Sequence, residues 1–258
     1  MIRILSALIR ASLMVSFQYR SDLFFEAATG ILRCFSAIAP LWLAFQHTTA
    51  IAGWTPPQAM LVMSLFLLFH ALQGGLFEPN LGEVVQLIRQ GNLDLWLIKP
   101  ADAQLLVSLR RIDPSYLWDF GVSILMAGVC IAQIGPISAL DAALAALLAV
   151  NGVLAMYGLW MLAICTSFYF VRVDNLRYLL TTAADAGRWP ASVFSTGIRW
   201  ALTAGVPILL VTSTPAEALR GQWTWTTVAG SLGIGLAFVG LARVAWMRSL
   251  ASYTSASS

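Results

Sequence analysis

Residues 142–171 read AALAALLAVNGVLAMYGLWMLAICTSFYFV and contain no charged side chain. About 20 largely apolar residues are enough for a helix to cross a bilayer. This stretch exceeds that length, yet it is too short for two crossings joined by a turn. We therefore predict a single long membrane helix here, which is either tilted or extends beyond the lipid.

The composition of the whole chain also indicates that the protein lies in a lipid bilayer. Of its 258 residues, 59% are hydrophobic and 10% are charged, and the mean hydropathy is +0.78. Soluble domains carry about 25% charged residues, so a secreted enzyme, a cytosolic Rossmann protein and a disordered regulator are excluded. The net charge of +3 is scattered rather than gathered in one patch, which also argues against nucleic acid as a partner.

Breaks in the apolar pattern predict six spans and hence an all-α membrane protein. Between Cys34 and Phe77 there is no Asp, Glu, Lys or Arg, and the turn-forming stretch from Gly53 to Pro57 divides this region into two helices. Gly135 ends the third span. The predicted spans cover residues 24–45, 57–77, 116–134, 142–171, 200–211 and 226–242.

The basic residues predict the orientation of these spans. With both termini in the cytoplasm, all 15 Lys and Arg side chains except Arg33 and Arg220 fall on the cytoplasmic side. Residues 1–20 precede the first span, and arginines such as Arg3 and Arg10 interrupt any signal-peptide core. Their apolar side chains lie near one helical face, which predicts a short N-terminal helix in the cytoplasmic interface.

The longest connection between spans covers residues 78–115, on the predicted cytoplasmic side. Asn80 and Glu83 have the spacing of a capping box, and Gly91 is a suitable C-terminal stop, so a helix is predicted over residues 80–91. Its apolar face carries Leu81, Val84, Val85 and Ile88, and its polar face carries Glu83, Gln86, Arg89 and Gln90. By itself this pattern suits either a helix that meets a partner or one that rests on lipid.

The sequence contains no recognisable catalytic pattern. It lacks the phosphate-binding G-x-x-x-x-G-K-[ST] loop, the G-x-S-x-G elbow and the H-E-x-x-H motif. Its two histidines, His47 and His70, are predicted to lie far apart, and its three cysteines sit singly in apolar runs. We predict that the chain is not an enzyme by itself and holds no cofactor or metal.

Ionisable residues inside predicted spans are candidates for function. Arg33 lies in the first span with Glu26 seven residues earlier on the same face, and Asp119 lies one turn into the third span. Hydrogen bonding between helices, or snorkelling to the interface, would explain Arg33 and Asp119. The second span carries a stripe that either lines a transport path or packs between helices, namely Phe66, His70 and Gln73.

Two stretches of the chain resemble a known family. Residues 89–100, RQGNLDLWLIKP, resemble the R-x-G-x-L-D-x-x-L-x-[RK]-P stretch of ABC type-2 transporter permeases. Residues 188–194, RWPASVF, are similar to the R-[YW]-P-x-x-[IVF]-[FY] stretch that precedes the fifth span of that family. Further on, Val206-Pro207 and Thr214-Pro215-Ala216 match its paired proline pattern, although Thr214 stands where the family has an aromatic residue.

The resemblance implies the ABC type-2 exporter fold, with residues 1–258 forming one permease domain in a bacterial inner membrane. It implies a second permease subunit, identical or homologous, and a separate ABC ATPase that binds ATP and Mg²⁺. It also implies that residues 80–91 are a coupling helix seated in a groove of that ATPase, which favours the partner-binding interpretation. The residues predicted to meet the ATPase are Glu83, Gln86, Arg89, Gln90 and Asp94.

Two other functions remain open from the sequence, an ion-coupled secondary carrier and a membrane scaffold without transport activity. A carrier usually needs acidic residues or broken helices near the midplane of the membrane. In the predicted spans only His70 and Arg33 offer ionisable groups at such a depth.

Overall fold

The computed structural model describes residues 20–99, 102–169 and 174–253. Within these ranges the chain is helical, apart from connecting turns and one isolated antiparallel bridge between Ile51 and Trp54. The predicted interfacial helix over residues 1–20 lies outside the described residues, except for Arg20.

Twelve α-helices are defined in the described residues. They are α1 Arg20–Phe45, α2 Pro56–Leu72, α3 Glu78–Arg89, α4 Asp94–Leu97, α5 Ala103–Ser108, α6 Leu117–Ile134, α7 Ala139–Cys165, α8 Asp174–Ala184, α9 Thr196–Trp200, α10 Ile208–Val211, α11 Ser213–Leu219 and α12 Trp225–Ala251. Two π-helical turns, Gln73–Phe77 and Ala201–Gly205, extend α2 and α9. Short 3₁₀ turns lie at Pro114–Tyr116, Thr166–Phe168, Asp185–Arg188 and Ala191–Val193.

Five helical segments are long and apolar enough to cross a bilayer. These are Ala28–Phe45, Pro56–Ile88, Pro114–Ile134, Ala139–Phe168 and Trp225–Ala251. The molecule is therefore an all-helical, multi-pass membrane protein. Residues 142–165 of the charge-free stretch lie in one helix, α7, because nothing in them interrupts the backbone hydrogen bonds before Cys165.

Helices α7 and α12 pack closely against each other along small residues. A Cβ atom on Gly158 would lie 2.8 Å from the backbone of Phe238, and one on Gly235 would lie 2.1 Å from the Asn151 side chain. Asn151 donates a hydrogen bond from Nδ2 to the carbonyl of Ser231 at 2.8 Å. Without side chains on the glycines, the two backbones approach closely enough for this interhelical bond.

The structure differs from the predicted fifth span over residues 200–211. Segments Thr196–Gly205 and Ile208–Leu219 form a pair bent by 79°. The bend occurs because Val206 adopts an extended conformation and Pro207 cannot donate a backbone hydrogen bond. We refer to residues 196–219 as the bent pair.

Both ends of the bent pair meet the same loop, residues 46–55. Before the pair, Ser192 Oγ donates to the carbonyl of Ala52 at 3.0 Å and accepts from Trp54 Nε1 at 2.9 Å. After the pair, Arg220 donates to the carbonyl of Gly53 at 3.2 Å. The bent pair is therefore a re-entrant hairpin, which enters and leaves the bundle at one end.

The chain reaches this end through residues 174–193. Helix α8 begins a few residues after the far end of α7, and Gly187 approaches Phe66, which lies halfway along residues 56–77. Arg188 therefore lies beside the middle of α2, and Arg199 lies on the first arm of the hairpin. The hydropathy pattern did not predict α8, because this helix is amphipathic and is followed by a charged 3₁₀ turn.

Candidate functional site: the α2–α3 joint and the intramembrane charges

Helix α3 continues from α2 without a break, so the predicted helix start at Asn80 is wrong. The π-helical turn Gln73–Phe77 joins the two helices, and Pro79 occupies the first turn of α3. Pro79 has no N–H for the Gly75 carbonyl four residues earlier, and the N–H of Asp113 donates to that carbonyl instead, at 2.8 Å. The Asn80–Glu83 spacing, which resembles the start of a helix, therefore lies inside a longer helix, at the joint between α2 and α3.

Asn80 connects this joint to the loop before α6. Its Nδ2 donates to the carbonyls of Leu76 and Arg111, both at 2.6 Å, and its Oδ1 accepts from the Arg111 N–H at 2.7 Å. The side chain is buried, so these three bonds form with little competition from solvent. Asn80, which was predicted to cap a helix, therefore links α3 to the loop before α6.

The predicted stop at Gly91 agrees with the structure, in which α3 ends at Arg89. Gly91 has φ +70°, and the N–H groups of Gly91 and Asn92 donate to the carbonyls of Ile88 and Leu87 at 3.2 and 2.9 Å. This arrangement is a Schellman motif, in which glycine avoids the strain of a left-handed backbone. The apolar face is buried at Leu81, Val84 and Val85, and the polar side chains of Gln86 and Gln90 are exposed.

Glu83 forms an ion pair with Arg110, so its charge is already matched within the chain. The guanidinium of Arg110 and the ammonium of Lys99 lie 4.5 and 3.4 Å from the ring centroid of Trp96. These contacts attach α4 to α3 and to the loop after α5. Asp94 is the first residue of α4, and the side chain of Arg89 lies outside the described side chains.

Two exposed apolar residues beside α3 were missed by sequence reasoning. Leu95 and Ile98 are exposed, the latter at 79% of its surface. Helix α4 has only four residues, too few for a hydrophobic period to be recognised. Together with Gln86 and Gln90 they form what we call the α3–α4 surface.

Helix α5 anchors the same region to the rest of the bundle. Asp102 caps α5 by accepting from the Leu105 N–H at 3.1 Å, and it pairs with Arg243 of α12 at 2.6 Å. The hydrogen bond from Arg243 lowers the pKa of the Asp102 carboxyl. At the other end of α5, the hydroxyls of Ser108 and Tyr157 of α7 lie 2.8 Å apart.

Arg33 and Asp119 form an ion pair between α1 and α6, at 2.7 Å. Asp119 is 5% exposed and also accepts a weak hydrogen bond from Cys34 Sγ. The Arg33 guanidinium lies 5.3 Å from the ring centroid of Tyr116. The side chain of Glu26, the predicted partner of Arg33, lies outside the described side chains.

A second ion pair lies beside the middle of α2. Asp185 and Arg188 are 2.7 Å apart, and the Arg188 guanidinium lies 5.3 Å from the ring centroid of Phe66. The His70 ring lies 6.3 Å from the rings of both Phe66 and Tyr116. Asp185 is 49% exposed and Arg188 32% exposed, so neither is enclosed by this chain alone.

Gln73 does not lie beside this ion pair, although it was predicted on the same stripe as Phe66 and His70. It is buried and lines a cavity of about 130 Å³ between α3 and α7, together with Phe77 and Trp160. The π-helical turn shifts the helical phase at this point, so a stripe drawn at a period of 3.6 residues does not continue through it.

Comparison with known proteins identifies the family. Residues 32–257 match a family described as ABC-2 family transporter protein. The chain belongs to the ABC-2 transporter family. It is therefore the membrane permease part of an ABC transporter, and permeases of this family generally pair with ABC ATPase subunits. No curated protein and no solved structure matches the chain.

Among the residues described, no group of three or more His, Cys, Asp or Glu side chains could hold a metal ion. What the chain offers instead is a long helix, α2 with α3, whose end carries the α3–α4 surface and whose middle lies beside Asp185 and Arg188.

Proposed function

We propose that this permease is the translocating subunit of an ATP-driven exporter. In this proposal it pairs with a second permease, identical or homologous, in a bacterial inner membrane, with both termini in the cytoplasm. A separate ATPase binds ATP and Mg²⁺, hydrolyses the nucleotide and meets the permease at the α3–α4 surface. The chain itself is not an enzyme.

One observation carries this proposal, the bonded continuity of α2 and α3. Segment Pro56–Ile88 contains 33 residues, which corresponds to about 50 Å of helix. The Asp113 and Asn80 bonds hold its joint. Arg110, which pairs with Glu83 of α3 and lies over the ring of Trp96, holds α4 against it. A displacement at the α3–α4 surface would therefore tilt α2 as one body instead of bending the helix.

The charges at mid-depth support a path beside α2. A half-exposed carboxylate facing hydrocarbon would be strongly unfavourable, so Asp185 and Arg188 need water or another subunit beside them. Phe66 and His70 lie next to this pair. We therefore assign the path to the face that carries Phe66, His70, Asp185 and Arg188, and we leave Gln73 out of it.

The test uses matched substitutions at the same end of the molecule. Ile98→Asp places a charge on the α3–α4 surface, and Leu105→Asp makes the same change at an exposed residue of α5 outside it. When the permease is co-expressed with its proposed ATPase partner, we expect Ile98→Asp to reduce co-purified ATPase at least tenfold, because a desolvated charge has no partner there. Leu105→Asp should leave it within about twofold.

The companion measurement is ATP-dependent transport in proteoliposomes. Full ATPase recruitment and coupled transport by the Ile98→Asp protein would contradict the assigned surface. The coupling should be lost with Ile98→Asp even when the total amount of permease is unchanged, which separates docking from expression.

A second candidate function, an ion-coupled carrier, is favoured by one observation, the re-entrant hairpin beside the Asp185–Arg188 pair. Broken helices and charges near the midplane are typical of secondary transporters. Uptake or efflux driven by a pH gradient in vesicles that contain the permease alone would favour this function and contradict the exporter. Strict dependence on the ATPase and ATP would exclude it.

A further inference from the structure

A cavity of about 420 Å³ lies between the re-entrant hairpin and α12, apart from the α3–α4 surface. Ligand pockets usually have volumes of about 300–1,000 Å³. The first arm of the hairpin contributes Arg199 and Trp200 to its lining, the second arm contributes Glu217, and α12 contributes Thr226 and Ile234. Arg199 and Trp200 are exposed, so the cavity is open to the surroundings of the protein.

Two opposite charges line this cavity without neutralising each other. In the part of the chain that the structure describes, no ion pair joins Arg199 to Glu217 or either of them to another side chain. Arg199 donates to the Phe194 carbonyl at 3.3 Å, which occupies one of the five N–H groups of a guanidinium. Glu217 is half-buried, and a carboxylate in such surroundings is stabilised by a cationic donor. The cavity therefore favours a ligand that carries both an anionic and a cationic group.

The charged and apolar parts of the cavity lie at different depths. Arg199 and Glu217 lie near the two ends of the hairpin, which meet at one end of the bundle. Thr226 lies in the first turn of α12, and the free N–H groups of a first turn favour an anion. Ile234 lies about 12 Å further along the same helix. A ligand with a charged head and an apolar chain matches this order.

The same lining distinguishes between kinds of zwitterion. A primary ammonium donates charge-assisted hydrogen bonds to a carboxylate such as Glu217, whereas a quaternary ammonium has no N–H to donate. A water-soluble zwitterion would leave the apolar lining at Trp200, Leu209 and Ile234 without a partner. A lipid with a primary ammonium in its headgroup satisfies both parts of the cavity.

We propose that this cavity binds a phospholipid whose headgroup carries a primary ammonium, the chemistry of phosphatidylethanolamine. Its phosphate lies between Arg199 and the first turn of α12, its ammonium donates to Glu217, and an acyl chain follows α12 past Ile234. The lipid belongs to the leaflet at the bundle end that carries residues 46–55. Its binding goes beyond the function proposed above and does not depend on it.

The test measures the affinity of single lipids for the purified permease by native mass spectrometry. Phosphatidylethanolamine, phosphatidylcholine and phosphatidylglycerol with identical acyl chains are added separately to delipidated protein in detergent. We expect the first phosphatidylethanolamine to bind about fivefold more tightly than either other lipid, because only its headgroup forms hydrogen bonds with both Arg199 and Glu217. Glycerophosphoethanolamine, the soluble headgroup without acyl chains, should not displace the lipid at equal concentration.

Two substitutions separate the two halves of the headgroup. Glu217→Gln removes the partner of the ammonium and should weaken phosphatidylethanolamine about fivefold, the effect of one hydrogen bond, without weakening phosphatidylglycerol. Arg199→Gln removes the partner of the phosphate and should weaken all three lipids to a similar degree. Arg248→Gln, at an exposed position near the opposite end of α12, is the matched control and should change each affinity by less than about twofold.

A third substitution tests the location of the lipid. Gly230→Phe fills the cavity from α12, because nothing lies within 4 Å of a Cβ atom at this position. It should abolish the preference for phosphatidylethanolamine. This variant carries the test if the charge variants are not monodisperse on gel filtration.

Four results would overturn the proposal. Equal affinity of the wild-type permease for the three lipids would mean that only unselective lipid surrounds it. Equal weakening of phosphatidylethanolamine and phosphatidylglycerol by Glu217→Gln would mean that the carboxylate does not hold the ammonium. A preference that survives Gly230→Phe would place the lipid elsewhere, and displacement by glycerophosphoethanolamine would mean that the site recognises a soluble molecule. None of these measurements involves the ATPase, so their failure would leave the exporter proposal standing.

Discussion

Two places in this permease have the same local design and opposite outcomes. At the α2–α3 joint, the π-helical turn Gln73–Phe77 is followed two residues later by Pro79, and the helix continues. In the re-entrant hairpin, the π-helical turn Ala201–Gly205 is followed two residues later by Pro207, and the chain bends by 79°. The neighbours of each turn, rather than the turn itself, account for the difference.

At the joint, hydrogen bonds from another segment replace what proline removes. The Asp113 N–H donates a hydrogen bond to the Gly75 carbonyl, and the Asn80 side chain forms hydrogen bonds with the backbone of Leu76 and Arg111. These groups keep the backbone satisfied, so α3 proceeds in line with α2.

In the hairpin, close packing onto glycines holds the bend. A Cβ on Gly187 would lie 2.3 Å from Ile208 Cγ1, and one on Gly152 would lie 2.4 Å from the Leu210 carbonyl oxygen. The returning arm of the hairpin therefore fits directly against α7 and the turn after α8, at a distance that no side chain would permit. A continuous helix through Pro207 would not form these contacts.

The largest expected loss of stability comes from adding a methyl group where the hairpin packs against α7. Gly152→Ala places a methyl group against backbone atoms of Leu210, which cannot rotate away, so we expect about 3 kcal/mol of destabilisation. Thermal unfolding in nanodiscs measures it. Gly128→Ala in α6 is the matched control, because nothing lies within 4 Å of its Cβ, and it should be neutral or slightly stabilising. Equal stability of the two variants would mean that the hairpin is not held against α7.

An intermediate effect is expected at the joint. Asn80→Ala removes three hydrogen bonds and leaves buried backbone groups of Arg111 and Leu76 without that partner, at a cost of about 2 kcal/mol. Hydrogen exchange should rise in residues 109–116 before it rises in α7. Asn92→Ala, which loses an exposed contact to Gln90, serves as the control. Unchanged exchange in residues 109–116 would show that Asn80 does not hold the joint.

The smallest effect is expected at the anchor of α5. Asp102→Asn keeps a side chain that can cap the helix and removes the charge that pairs with Arg243. Because both side chains are partly exposed, the loss should be below about 1 kcal/mol.

The pH dependence of this variant follows from the lowered pKa of Asp102. The carboxylate contributes stability above the pKa that it has in the unfolded chain, and that contribution is lost as the pH falls through the lower pKa of the folded state. The unfolding temperatures of wild-type protein and Asp102→Asn should therefore differ at pH 7 and converge in strong acid. A difference that persists unchanged in acid would contradict the ion-pair explanation.

Much of the architecture could be predicted from the chain. The charge-free run after Asp141 required a long helix in lipid, Gly91 required an end to α3, and the apolar residues from Leu81 to Val85 required a buried face. Each of these follows from a property carried by the residues themselves, which is side-chain hydropathy, backbone freedom or helical period.

The candidate site could be predicted only in part. Glu83 was expected on a free polar face, and its pairing with Arg110 depends on a residue 27 positions away. The partnership of Arg33 with Asp119 spans 86 positions. Side chains that were correctly placed on a helix could not be assigned their partners, because no local pattern encodes contacts between distant segments.

The sequence alone determined that this chain belongs in a membrane, as helices, with a polar connection after the second span, because apolar content and charge spacing act locally. Only the tertiary structure decided that Asn80 links α3 to the loop before α6, that α3 extends α2, and that residues 196–219 turn back on themselves. The same local signal, a π-helical turn followed by proline, is compatible with a straight helix and with a sharp bend. The hydrogen bonds from Asp113 and the glycine surfaces at Gly152 and Gly187 select between them, and these come from parts of the chain that meet only after folding.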